Sequence, residues 1–238
     1  MAQPKVSVVM PYWNRPYLVS NAIHSILDQT FEDFELIIVD DGSEDQEIDH
    51  IVRRFGDKRI RVLRTEHKGL VHARNYGNKH AKADIIMQQD SDDLSLPDRI
   101  EKLFPYMKDY DVVVSGLYIN VWSDAQECIS RLYIPALPID KKRILKEQYL
   151  PGIPMYKKSV WKSNPFRMET QHAYDWMMWL DWIYSHFKIK YLNEGLYEYI
   201  RQESSCSIIF EKDGRRKQSF EKIKEIMKKE YGVTAMAS

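Results

Sequence analysis

The sequence predicts an α/β fold, a parallel sheet covered by helices on both faces, and three observations predict it. Strand-like and helix-like patterns alternate through the first hundred residues, the strand segments are short apolar runs, and turn chemistry follows them. Val6-Ser7-Val8-Val9-Met10, ended by Pro11, reads as a buried parallel strand. Asn14 is placed to cap the helix that follows, with Pro16 in its first turn and Leu18, Ala22, Ile23, Ile26 and Leu27 at helical spacing. Phe34 to Val39 is a second strand, ended by Asp40-Asp41-Gly42-Ser43. A polar helix around Asp45 to Phe55, a strand from Ile60 to Leu63, a helix from Leu70 to Lys82 and a strand at Ile85-Ile86-Met87 complete the alternation.

Beyond Asp93 the pattern changes. Leu96-Pro97-Asp98-Arg99 opens a helix that runs to Lys108, and Val112 to Val121 is one strand or a hairpin. Asp124 to Gly152 carries three prolines and has no clear assignment. Gln171 to His186 reads as a helix, Ile189 to Leu192 and Leu196 to Ile200 as two strands, and Glu211 to Tyr231 as a charged helix. With no repeat and no low-complexity linker, residues 1–238 are expected to form one domain: a ligand-binding half to about residue 93, a second half to about 210, and a C-terminal helix and tail.

Composition narrows the function. Lys+Arg and Asp+Glu are both 35, so no global field favours nucleic acid or an acidic membrane. Two basic runs, Lys141-Lys142-Arg143 and Arg215-Arg216-Lys217, leave local partner or peripheral membrane contact open. Cys128 and Cys206 do not form a metal-binding pattern, and two reduced thiols are the simpler reading. The N-terminus lacks a signal-peptide apolar region and no run reaches membrane-spanning length, so a soluble, cytoplasmic protein is expected.

Ligands of open α/β sheets bind beyond the carboxyl ends of the strands. Three clusters are predicted there: Pro11-Tyr12-Trp13-Asn14, Asp40-Asp41-Gly42-Ser43 and Asp90-Ser91-Asp92-Asp93. Any one of them alone reads better as an ordinary strand-ending turn, and it is the three together that reverse this. Together they gather carboxylates that repel one another unless a cation compensates them, and Mg²⁺ or Mn²⁺ suits an all-oxygen set completed by substrate phosphates.

At these residues the chain resembles the family 2 glycosyltransferases of the GT-A fold, across roughly residues 5 to 104. The resemblance is carried by Val6 to Asn14, Ser25-Ile26-Leu27-Asp28-Gln29-Thr30, Phe34 to Ser43, Gly69, Ala73-Arg74-Asn75, Asp90-Ser91-Asp92-Asp93 and Pro97-Asp98-Arg99. It implies an inverting transferase that takes a nucleoside-diphosphate sugar, by default UDP-linked, and a carbohydrate or glycoconjugate acceptor. It places Pro11, Tyr12 and Asn14 along the nucleoside pocket, Asp41 at the base with Asp40 beside it, and Arg74 in the donor pocket. Asp90 and Asp92, with Ser91 between them, match the Asp-x-Asp pair, Asp92 on the metal and Asp90 on the ribose or a metal-bound water. The Gln-x-x-Arg-Trp motif of processive synthases is absent, which implies one sugar per encounter.

The second half must supply an acceptor site and a base. Asp175 opens a helix that is apolar nearly all round, with Trp179 and Trp182 on its face. A buried carboxylate is costly unless it is paired or used, although the helix macrodipole alone would stabilise this one. The family places its general base in such a position, which makes Asp175 the candidate, with Asp181 and Glu169 competing. Asp181 lies roughly 9 Å further along the helix axis. Trp161, Trp176, Trp179 and Trp182 read first as core. Tyr199 to Ser205 departs from the family's late Tyr-Arg-x-His segment, with Ile200 between Tyr199 and Arg201.

Two other functions fit parts of this pattern. A sugar nucleotidyltransferase would carry a glycine-rich basic loop after the first strand, where this chain has Pro11-Tyr12-Trp13-Asn14-Arg15. A non-catalytic nucleotide-sugar-binding protein would not need every carboxylate that is present.

Overall fold

The computed structural model describes residues 3–44, 47–122, 128–201, 214–233 and 236. Its centre is a nine-stranded sheet. Strand β1 (Val6–Tyr12) lies between β2 (Phe34–Asp40) and β4 (Ile85–Gln88), and β2 is bordered by β3 (Ile60–Arg64), all parallel. The connections between them are helices α1 (Pro16–Leu27), α2 (Glu47–Phe55) and α3 (Leu70–His80). Every residue of β1 and β2 is buried, as continuous apolar runs require of strands covered on both faces.

The pleat divides these strands between two cores. Val8, Met10, Leu36 and Ile38 pack with Val19, Ile23, Ile26, Ile48 and Ile51 of α1 and α2. Val9, Ile37 and Val39 face the other way, onto Val71 and Ala73 of α3. Past β4 the sheet turns mixed, with β8 (Met155–Lys157) antiparallel to both β4 and β6 (Val112–Trp122). Strand β9 (Ile189–Arg201) runs parallel to β6 and pairs with the two-residue β5 (Leu94–Ser95), while β7 (Cys128–Ile134) forms an antiparallel hairpin with β6. Short helices α4 (Arg99–Leu103), α5 (Lys141–Ile144) and α6 (Lys158–Ser163) precede α7 (Tyr174–Tyr184) and α8 (Arg215–Tyr231). Both long helices join the α3-side core through Trp176, Trp179, Trp182, Ile223 and Met227.

Several sequence expectations need correction. Arg15, not Asn14, occupies the N-cap of α1; the Asn14 side chain instead accepts a bond from the Glu44 amide at 3.1 Å. The helix expected from Pro97 starts at Arg99 and tightens into a 3₁₀ turn at Phe104–Lys108, where Pro105 offers no backbone donor. The helix expected from Gln171 is a 3₁₀ segment (Met168–Ala173) before α7, divided by the non-helical Thr170. The two strands expected between Ile189 and Ile200 are one strand. Ser115 pairs with Leu192 and Gly116 with Gly195, so Asn193-Glu194 form an irregularity, not a turn. The unassigned stretch holds β7 and α5. Cys206 and residues 202–213 lie outside the described residues, and Cys128 is an exposed free thiol. Among the described residues no helix is long and apolar enough to cross a membrane.

Candidate active site at the carboxyl edge of the sheet

The three predicted clusters meet where β1, β2 and β4 end. The Asp41 amide donates to the Tyr12 carbonyl at 2.9 Å, joining the first two loops. Asn14 has a positive φ of 48° and strengthens that junction, its amide on Ser43 Oγ at 3.1 Å. Pro11, Tyr12, Asp40, Asp41 and Ser91 are all buried. Asp40 accepts the Ser43 amide at 2.9 Å and pairs with Arg64 at 3.3 Å, so its carboxylate shapes the turn. Asp41 accepts the Lys68 and Gly69 amides at 3.1 and 2.8 Å, and the His67 ring lies 2.9 Å away. Those contacts press the loop after β2 against the loop between β3 and α3. A Cβ on Gly42, which has φ +70°, would stand 2.6 Å from the His67 nitrogen, so only glycine fits there.

Trp13, a neighbour of these residues with no role in the sequence reading, stacks on His67 with centroids 4.3 Å apart and stays 45% exposed. The pair forms a flat aromatic wall beside the first two strand-end loops. Trp13 and His67 lie on different loops, far apart in the chain, so no local pattern signals the stack.

Arg74 of α3 is completely buried, as one turn of a helix packed on the sheet demands. It donates to Gln88 Oε1 at 2.5 Å and to Asp90 Oδ1, and its guanidinium lies 5.0 Å from the Tyr174 ring centroid. Burial opposes its charge, yet Tyr174 and Asp90 outweigh that and raise its pKa. A second buried arginine, Arg99, underpins the same strand end from the other side, through Gln89 and Ser95 side chains and the Gln88 and Ile153 carbonyls. Burial lowers its pKa to about 10.

The four residues of the acidic cluster differ sharply. The Asp90 and Asp92 side chains keep 29% and 20% of their exposure, Asp90 on Arg74 and Asp92 on Arg15. Burial raises the Asp92 carboxyl, Arg15 opposes that rise, and the neighbouring Asp90 charge adds to it. Asp93 faces inward: Tyr197 donates to it at 2.8 Å and the Ile200 amide at 2.8 Å, tying the cluster to β9. Burial first, then Asp92 and Asp90, push its pKa well above the usual carboxylate range. Sequence reasoning gave Asp93 no separate role, because its partners lie more than a hundred residues away.

Asp90 and Asp92 are the residues that could hold a divalent cation. Among the described residues no three His, Cys, Asp or Glu side chains form a ready metal cage. Two partly exposed carboxylates at one strand end nevertheless fit Mg²⁺ or Mn²⁺, which commonly take one or two carboxylates and complete their shell with phosphate oxygens and water.

Across from them α7 begins. Asp175 is half-buried, and desolvation raises its carboxyl, opposed by the Arg216 charge, by the Trp176 amide at 3.0 Å and by the Arg74 charge. Its two competitors stand elsewhere. Asp181 is buried in a network with Arg167, at 2.9 Å to each oxygen, and with the Tyr231 hydroxyl at 2.7 Å, which fastens α8 to α7. Glu169 is exposed. Trp176, Trp179 and Trp182 are core residues, while Trp161 is half-buried and donates to Asn75 at 2.8 Å. Of Tyr199 to Ser205, residues 202–205 lie outside the described residues.

With this geometry in place, likenesses to known proteins become informative. The family profile described as Glycosyl transferase family 2 matches residues 7–172. The O-antigen biosynthesis glycosyltransferase WbnJ of Escherichia coli is 36% identical over 132 residues, 55% of this chain and 52% of WbnJ. The Escherichia coli UDP-Glc:alpha-D-GlcNAc-diphosphoundecaprenol beta-1,3-glucosyltransferase WfgD is 29% identical over 176 residues, 74% of this chain and 68% of WfgD. The chain spans 18 to 52% of the length of the first curated relatives it matches. The crystal structure of Staphylococcus aureus TarS 1–349 in complex with UDP-GlcNAc superposes with a TM-score of 0.65 at 20% identity, covering 85% of this chain and 60% of that one. At that identity the likeness shows the fold, which is GT-A.

Proposed function

Because the chain belongs to glycosyl transferase family 2, we propose that it moves a single sugar, with inversion, from a UDP-linked donor to a hydroxyl of a carbohydrate or glycoconjugate acceptor. The observation that carries this reading is the placement of two sets of carboxylates around one buried guanidinium. Arg74 binds Asp90 directly, lies against Tyr174, and exerts its charge on the adjacent Asp175. Support for the donor comes from the TarS complex, which holds UDP-GlcNAc in a protein of the same fold, and from WfgD, whose name specifies UDP-Glc.

In this reading Pro11, Tyr12, Asn14, Asp40 and Asp41 shape the nucleoside pocket, with Trp13 and His67 as its aromatic wall. Asp92 and Asp90 hold Mn²⁺ or Mg²⁺, which when bound neutralises charge on the departing diphosphate. Arg74 orients Asp90 through its direct contact. Asp175 takes the proton of the acceptor hydroxyl as its oxygen attacks the anomeric carbon opposite the leaving group. The raised Asp175 carboxyl suits that role, since a base works best with a pKa near the operating pH.

A thermal-shift series with UDP, UDP-glucose and UDP-N-acetylglucosamine, each with and without Mn²⁺, tests the donor half. A true ligand at 100 times its Kd adds about 2.7 kcal/mol of apparent stability. No shift with any uridine nucleotide would reject the donor assignment. For the acceptor half, Asp175→Asn should lose transfer and keep the UDP-induced shift.

A further inference from the structure

We propose that Gln148 is a positioning residue for Asp175, holding the carboxylate in the orientation and ionisation state a base requires. The inference rests on the reading of Asp175 as that base. The geometry is local and fully defined. The Gln148 amide nitrogen donates to Asp175 Oδ2 at 2.9 Å and to the Leu150 carbonyl at 2.5 Å. A backbone carbonyl can only accept, so the NH₂ group must face this side and the amide orientation is fixed by its partners. The other oxygen, Oδ1, accepts the Trp176 amide at 3.0 Å. Each carboxylate oxygen therefore accepts from a donor of its own, Oδ2 from a side chain and Oδ1 from the backbone.

The segment that carries Gln148 is built around this contact. Trp176 Nε1 donates to the Ile144 carbonyl at 2.6 Å and Trp179 Nε1 to the Pro151 carbonyl at 3.0 Å, so the helix that bears Asp175 pins the segment at two points. Arg99, from the donor side, pins it again through the Ile153 carbonyl at 2.6 Å. A Cβ on Gly152 would lie 3.0 Å from Asp175 Cβ and 3.5 Å from its Oδ2, so the chain passes tightly over the carboxylate because that residue is glycine. The indole groups of Trp176 and Trp179 thus act as staples for the loop that supplies the amide.

Chemically, a neutral donor favours the charged form of a carboxyl. The charges acting on Asp175 come from Arg216 of α8 and Arg74 of α3, and Tyr174 precedes it on α7. Among the described residues neither arginine has a hydrogen bond to Asp175, whereas Gln148 does and so fixes the direction of a lone pair.

The test is direct titration of the Asp175 carboxyl in protein labelled with ¹³C-aspartate, its signal identified by its loss in Asp175→Asn. Gln148→Met keeps the side chain's length and removes the donor; it should raise the titration midpoint by roughly one unit. Gln148→Glu, which sets a second acid beside the first, should raise it further, and it remains informative if the Met variant does not fold. Turnover is read as UDP release from UDP-glucose and UDP-N-acetylglucosamine with Mn²⁺, water taking the glycosyl group in place of the acceptor hydroxyl. There Gln148→Met should lower kcat roughly tenfold to a hundredfold with donor KM unchanged. In an Asp175→Asn background the same substitution should cost nothing more. An unmoved midpoint in a folded variant, or an equal rate loss in both backgrounds, overturns the proposal. Full turnover by Asp175→Asn with a shifted midpoint would instead reject Asp175 as the base and leave the contact standing.

Discussion

Arg74 and Asp90 form an ion pair in which the arginine has no solvent exposure and the aspartate retains 29% of its own. The pair sits between the helix that covers the sheet and the strand end that carries the acidic cluster. Its buried half is anchored by Gln88, which in turn donates to Asn78 at 2.9 Å and to the Tyr156 hydroxyl at 2.5 Å. A cation in that position can orient an acidic residue without being reached by solvent.

Removing it should therefore cost stability as well as function. Arg74→Met leaves Gln88 and Asp90 without their donor, and the expected loss is about 3 kcal/mol in urea-monitored unfolding. Arg74→Lys, with one ammonium in place of a fork, should recover only part of that. Wild-type stability in Arg74→Met would contradict the structural role of the pair.

Asp92 faces the opposite test. Its side chain is partly exposed and, among the described residues, pairs with Arg15, so Asp92→Asn should unfold within about 0.5 kcal/mol of the parent. The same variant should lose the Mn²⁺-dependent part of the UDP thermal shift. If the Mn²⁺ increment survives, the cation is held elsewhere.

Asp181 and Asp175 should separate cleanly. Arg167→Met strands the buried Asp181 carboxylate beside Tyr231 and should destabilise the fold by about 3 kcal/mol. Its kcat at temperatures where it stays folded should match the parent. Asp175→Asn should show the reverse, a stability close to the parent and a transfer rate lower by roughly a hundredfold or more.

Asp93 predicts an unusual pH dependence. Its folded pKa is raised, so between the unfolded value near 4 and the folded one the native state binds the extra proton. Stability is then greatest at the acid end of that window and falls as pH rises through it, opposite to a salt-bridged carboxylate. Asp93→Asn removes the titration, and the slope of unfolding free energy against pH should become less negative above about pH 4. An unchanged slope would show that Asp93 does not titrate in that window.

Much of the fold was legible because the information was local. The alternation from Val6 to Gln88 follows from apolar runs, turn residues and helical spacing, each confined to a window of a dozen residues. The later strands were less legible. Asn193-Glu194-Gly195 looks like a turn until β6 is laid beside it, and β8 is a three-residue segment whose partner β4 is distant in the chain. The same division runs through the candidate site. Asp90 and Asp92 were visible as a spaced pair, whereas the inward role of Asp93 depends on Tyr197 and Ile200.

By itself the sequence determined the α/β class, the three strand-end clusters and the helix start that bears Asp175, since periodicity and turn chemistry are written in neighbouring residues. Only the tertiary structure decided which carboxylates stay near solvent, which one is bound inside, and which of Asp175 and Asp181 is tied up in an ion pair. The reason is physical: ionisation and orientation of a buried acid depend on desolvation and on donors that approach through space. Here those donors are Arg74, Arg167, Tyr197 and Gln148, and none lies within ten residues of the acid it serves.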